Sequence, residues 1–169
     1  MNKLLKSLSV AVLSLIAISA TAQQKFGHVD TEALFYSMPE VKTVQTQLQA
    51  KSKEYETQLK NLYSQYDAIV TDIETNGATY MQAVLEKKYN DAYDLEERIV
   101  ALEEKAQDEL VKLEAKLFQP VELKAYEAIQ TVAQENGYSY VIDSSLGVFL
   151  VLPESDDLTN LVKTHLGIY

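Results

Sequence analysis

Residues 41–117 read VKTVQTQLQAKSKEYETQLKNLYSQYDAIVTDIETNGATYMQAVLEKKYNDAYDLEERIVALEEKAQDELVKLEAKL. The run holds no Pro and one Gly, Gly77, close to its middle. Before that Gly, apolar positions recur at steps of three and four: Val41, Val44, Leu48, Ser52, Tyr55, Leu59, Leu62, Tyr66, Ile69 and Ile73, with one extra four around Ser52. After it the same rhythm passes through Met81, Leu85, Lys88, Ala92, Leu95, Ile99, Leu102, Ala106, Leu110, Leu113 and Leu117, with a stutter near Ala106. Such spacing is the signature of a coiled-coil seam. Asn76-Gly77 reads as a helix stop, because Gly tolerates the left-handed backbone. The pattern predicts two helices of about 50–60 Å each, at 1.5 Å per residue. A short turn makes them antiparallel neighbours.

Outward from this hairpin, the flanks read as a small base. Lys25 to Asp30 predicts a short strand, and Asp30 or Thr31 caps a short helix over Glu32 to Met38. Pro39 suits the first turn of the next helix, and Glu40 meets the positive end of its dipole. On the far side, Pro120 removes a backbone donor and predicts a kink or break, a hinge between arm and base. Val121 to Glu135 continues as helix until Asn136-Gly137 ends it. Tyr138 to Asp143 predicts a strand, Ser144 to Gly147 a hairpin turn, and Val148 to Leu152 a returning strand that Pro153 ends. A last short helix, capped by Asp156, Asp157 or Thr159, runs to Leu166. The fold class is therefore α+β. Residues 41–118 form a helical hairpin, and residues 23–40 with 119–169 form a β-rich oligomerisation body.

Val148, Phe149, Leu150, Val151 and Leu152 are apolar at every position. A strand with one wet face would alternate, so this one is expected to be covered on both faces. One helix of the base covers one face, and a neighbouring copy of the chain is the simplest cover for the other.

The N-terminus reads as an export signal. Lys3 and Lys6 form a basic start, Leu8 to Ile18 an apolar run broken only by Ser9 and Ser14, and Ala20-Thr21-Ala22 a cleavage signal. The expectation is removal of residues 1–22 by cleavage after Ala22. Loss of the two lysines takes the net charge from −10 to −12. That charge disfavours nucleic acid and anionic lipid. With no Cys, stability in an oxidising compartment must come from packing. Only His28 and His165 remain as ligands of the usual zinc kind, so no metal is expected. Neither His has a motif partner, and no phosphate-binding Gly loop is present. Glu96, Glu97, Glu103, Glu104, Asp108 and Glu109 alternate with Arg98, Lys105 and Lys112 as a solvated helix face does. The chain is read as a non-enzyme without cofactor.

Function is sought beside the seam. At 100° per residue, Tyr89, Tyr93, Val100 and Val111 share one flank of the second helix, and Tyr63 and Val70 share the corresponding flank of the first. Antiparallel helices turn those flanks to the same side. Tyr presents a flat apolar body with a polar tip, suited to weak and unspecific contact. Of 11 tyrosines, six lie on the arms (Tyr55, Tyr63, Tyr66, Tyr80, Tyr89, Tyr93), and Tyr55 and Tyr66 are seam positions. The face is read as a wall for an apolar client, against the alternatives of contact with another copy's arm or of scattered surface residues.

In this order the chain resembles the Skp/OmpH family of periplasmic chaperones. The opening GHVDTEALFYSMPE, two long charged helices, ENGYSYVIDSSLGVFLV and the final SDDLTNLVKTHLG carry the resemblance over the entire mature chain. The resemblance implies a homotrimer whose strands form a central β-body. It implies helical tentacles that enclose unfolded outer-membrane β-barrel proteins in the periplasm without ATP. The enterobacterial members it resembles are strongly basic, whereas this chain is acidic, with only Lys87-Lys88 near the turn. Lipopolysaccharide and membrane binding are therefore not carried over. A structural coiled-coil spacer or a dedicated assembly factor of the cell envelope is the alternative, and it predicts no broad binding of unfolded chains.

Overall fold

The computed structural model describes residues 24–168, so the leader reading of residues 1–22 lies outside the described residues. The chain divides into two compact units, one from residues 24–34 and 126–168, the other Phe35–Ala125.

In the first unit, β1 (Phe26–Val29) and β2 (Tyr140–Asp143) pair in parallel, Phe26 opposite Tyr140 and Val29 opposite Asp143. Parallel strands need a long crossover, and the whole helical hairpin supplies it. A single bridge joins His28 to Asp157 on the other side of β1. Val29, Leu34, Val132, Leu158 and Val162 are buried here. Asp143 ties the start of α1 (Thr31–Ser37) to the end of β2: its carboxylate accepts from the Thr31 hydroxyl at 2.7 Å and from the Ser145 amide at 2.9 Å. Burial pushes this carboxyl up, but the bonds from Thr31 and Ser145 outweigh it and hold the pKa below its usual value. His28 is buried, and its Nε2–H donates to the Pro153 carbonyl at 3.0 Å, a structural role. The unit closes with α4 (Thr159–His165), where Asp157 accepts from the Thr159 amide at 2.8 Å.

The second unit is dominated by α2 (Pro39–Asn76) and α3 (Gln82–Glu135), the latter continuing past Ala125. Cross-helix partners prove the antiparallel pairing. Glu40 meets Lys124, Tyr55 meets Glu109, Tyr63 meets Glu103 and Asp72 meets Lys88, so one number climbs as the other falls. Val41, Val44, Tyr55, Ala92, Leu95, Ile99 and Ala106 are buried along the seam, as their spacing requires.

Four expectations are corrected. Gly77 is not left-handed: its φ of −53° and ψ of −36° are helical, and the chain tightens into a 3₁₀ turn (Gly77–Thr79) before reversing at extended Tyr80. Met81 lies just outside α3 and is 76% exposed, so the seam on that arm starts beyond it. No break occurs at Pro120, because α3 is continuous from Gln82 to Glu135. Proline costs a helix interior about 3 kcal/mol, and the burial of neighbouring Val121 and Ala125 holds the helix together against it. Val148 to Leu152 forms no strand. Gly147, at φ 64°, closes the 3₁₀ turn Ser144–Leu146, and the segment that follows pairs with neither strand of the sheet. Within the single chain only Leu152 of these is partly buried; Val148, Phe149 and Val151 are exposed and Leu150 is 99% exposed. The end of α3 does behave as read: Gly137 takes φ 72°, the left-handed conformation that stops a helix.

Candidate functional site

The side of the hairpin that carries the tyrosines is built by two interlocking rows. On α3, steps of three and four pass through Tyr89, Tyr93, Glu96, Val100, Glu103, Gln107, Val111 and Glu114. On α2 the facing row runs Glu56, Lys60, Tyr63, Asp67, Val70 and Glu74. Val70, Tyr89 and Tyr93 come together in one groove of about 320 Å³, floored by Tyr66, Ile73 and Ala92 and rimmed by Glu74 and Glu96. Tyr63 stands one turn further toward the base of the hairpin, where its hydroxyl donates to Glu103 Oε1 at 2.7 Å. That bond to an anion, followed by burial, holds the Tyr63 pKa above its usual value. Val100 sits between Glu96 and Glu103 in the same row. Val111 lies beyond them and outside the groove.

Exposure along this face is substantial. Tyr93 is 64% exposed and Val111 60%; Tyr63, Tyr89 and Val100 are each close to half exposed. The hydroxyls of Tyr89 and Tyr93 make no hydrogen bond among the described residues. By contrast, Tyr55 is buried and bonded to Glu109, and Tyr80 donates to Asp72 at 2.8 Å. The arm tyrosines thus divide into structural ones (Tyr55, Tyr80), a groove floor (Tyr66), a tethered ring (Tyr63) and two free rings (Tyr89, Tyr93).

Sequence reasoning missed two things here. Tyr66 was assigned to the seam, yet it also lines the groove. Glu96 and Glu103 were assigned to a face compensated by neighbouring cations, yet neither has an ion-pair partner among the described residues. The cations that pair do so elsewhere: Lys105 with Glu109 and Lys112 with Asp108, along one helix. The signal that was available is the shared three-four spacing of those carboxylates with Tyr93 and Val100.

A second exposed apolar region belongs to the first unit. Val148 and Val151 are 68% and 83% exposed, and the Phe26 and Tyr140 rings stack 5.1 Å apart with both largely in solvent. No group of three or more His, Cys, Asp or Glu capable of holding a metal occurs among the described residues. No helix among them is long and apolar enough to cross a membrane.

Comparison with known proteins agrees with this architecture. The family model described as outer membrane protein (OmpH-like) matches residues 25–166. The chain is 24% identical over 153 residues to a protein named chaperone protein Skp from Vibrio cholerae serotype O1, covering 86% of this chain and 88% of that one. A solved structure described as an outer membrane chaperone (OmpH-like) from Caulobacter crescentus CB15 superposes with a TM-score of 0.68 at 20% identity. It covers 85% of this chain and 83% of that one, and at such identity it speaks for the fold.

Proposed function

The chain belongs to the OmpH-like family of outer membrane protein chaperones, which are not enzymes, and on that footing we propose that it is an ATP-independent periplasmic holdase. It keeps unfolded outer-membrane β-barrel precursors from aggregating by offering them many weak contacts. The observation that carries this reading is the one-sided Tyr and Val face along a helical hairpin, with Tyr63, Tyr89, Tyr93, Val100 and Val111 exposed and Val70 half-buried among them. Exposed apolar side chains aligned along one side of a hairpin support an interaction surface. A row of short apolar contacts separated by polar positions suits clients without a fixed shape. It also shields their edge strands from one another.

Self-association supplies the rest of the device. Val148 to Leu152 and the unpaired edge of β2 give a second copy both apolar surface and backbone groups to pair with. A homotrimer assembled there would set several hairpins around a common space. Pro120, whose nitrogen cannot donate, is the point on α3 where an arm flexes to admit clients of different size.

Substitution tests the assignment. Replacing Tyr63, Tyr89 and Tyr93 with Ser removes three aromatic contacts worth about 1 kcal/mol each. The concentration needed to halve aggregation of a urea-unfolded outer-membrane barrel protein should rise by about tenfold or more, with self-association unchanged. Equal suppression by the variant would remove this face from client binding.

A further inference from the structure

We propose that the tyrosine face selects clients by charge: it captures apolar segments that carry Lys or Arg and turns acidic segments away. This rests on the holdase reading above and names what the same face prefers.

The polar positions within the two rows are mostly acidic, the exceptions being Lys60 on α2 and Gln107 on α3. Glu56, Asp67 and Glu74 alternate with Tyr63 and Val70 on α2; Glu96, Glu103 and Glu114 alternate with Tyr93, Val100 and Val111 on α3. All six carboxylates are exposed, and none has an ion-pair partner among the described residues. Two cations do join the face toward the base of the hairpin: Lys60 stands three residues before Tyr63 in the α2 row, and Lys53 lines a groove with Glu56 and Glu114. Around Tyr89 and Tyr93 the protein's own cations stand elsewhere. Lys87 pairs with Asp91 at 2.6 Å and Lys112 with Asp108 at 2.6 Å, while Lys88 is held in the seam by Asp72. Arg98 and Lys105 line a separate groove with Gln58 and Leu62, and no cation lines the tyrosine groove. The groove with the two free rings thus keeps the negative charge of Glu74 and Glu96 unneutralised.

Those rings suit cations. A Tyr face attracts an ammonium or guanidinium group through its quadrupole. The protein already uses this contact: Lys51 lies over Tyr55 at 4.9 Å and Lys88 over Tyr80 at 5.2 Å. Tyr89 and Tyr93 offer the same ring, with Glu74 and Glu96 at the groove's rim. A Lys or Arg side chain lays its apolar stem on the ring and its charge beside the carboxylate. An acidic segment meets only like charge there. The same face of a second copy is repelled for the same reason, so a cationic client fits better than face-to-face pairing of two arms.

Two labelled disordered peptides test this. They share their apolar residues and differ only in carrying Lys or Glu at the remaining positions. Fluorescence anisotropy with the full mature chain should show the Lys peptide binding at least about tenfold more tightly at about 50 mM salt, falling to about twofold at about 500 mM. The E74Q/E96Q/E103Q variant should lose the preference, and R98Q/K105Q should retain it. Equal binding of both peptides, indifference to salt, or a preference that survives E74Q/E96Q/E103Q overturns the proposal. So does a result in which those substitutions change self-association and leave peptide binding as it was, since the face would then contact another arm. Suppression of barrel-protein aggregation without charge preference sinks this inference alone. Absence of both suppression and peptide binding sinks the holdase reading and this inference with it.

Discussion

Gly27 lies inside β1, and the room it leaves is already taken. A Cβ there would stand 2.8 Å from Tyr138 Cδ1 and 3.0 Å from Leu158 Cδ1. Neither neighbour yields easily. Leu158 is 1% exposed, and the Tyr138 ring carries the Lys25 ammonium 3.7 Å from its centroid. Gly27→Ala should therefore overpack the first unit and cost about 1–3 kcal/mol, read as a lower urea midpoint at unchanged slope. An unchanged midpoint would show that the ring and Leu158 shift without cost. Nothing in the sequence announced this close approach. A Gly in a strand marks a possible bulge or tight neighbour, but Tyr138 and Leu158 lie more than a hundred positions away. The same distance hid Asp143, whose role depends on Thr31 and Ser145 meeting at the end of the sheet.

The hairpin was legible as an element because its evidence is local. Three-four spacing fixes which side of each helix is apolar, and the seam residues Val44, Leu95 and Ile99 are buried as that spacing requires. Its tip was legible in position and not in mechanism. Gly77 stays right-handed, and the turn is held instead by Asp72, which takes the Lys88 ammonium at 2.6 Å, the Asn76 amide at 2.8 Å and the Tyr80 hydroxyl at 2.8 Å. Lys88 first, then Asn76 and Tyr80, draw the Asp72 pKa down to about 2. A depressed carboxylate stabilises the folded form above its unfolded pKa of about 3.9. That contribution is lost as pH falls through the folded value. Thermal melts of the wild type should thus keep an Asp72-dependent loss between about pH 4 and about pH 2, and Asp72→Asn should flatten that part of the profile. An identical profile for the variant would mean the tip network carries no stability. The strand expected at Val148 to Leu152 failed. Its unbroken apolar run suggested a strand, but in the single chain the segment is irregular and Val148 to Val151 are exposed.

At the scale of the whole molecule, the two exposed apolar regions divide the work. In the proposed reading, Val148 to Leu152 and the open edge of β2 serve other copies of the chain, and the tyrosine face serves clients. An acidic chain suits this division because no cation lines the tyrosine groove, whose rim carries Glu74 and Glu96. The account's central claim is that the assembled protein holds unfolded barrel proteins in solution. Sedimentation velocity of the mature chain, alone and with a urea-unfolded outer-membrane barrel protein diluted into it, tests that claim most directly. The account predicts one discrete self-associated species that moves to a single larger species with the client still soluble. A chain that sediments the same with and without client, while the client pellets, would contradict it.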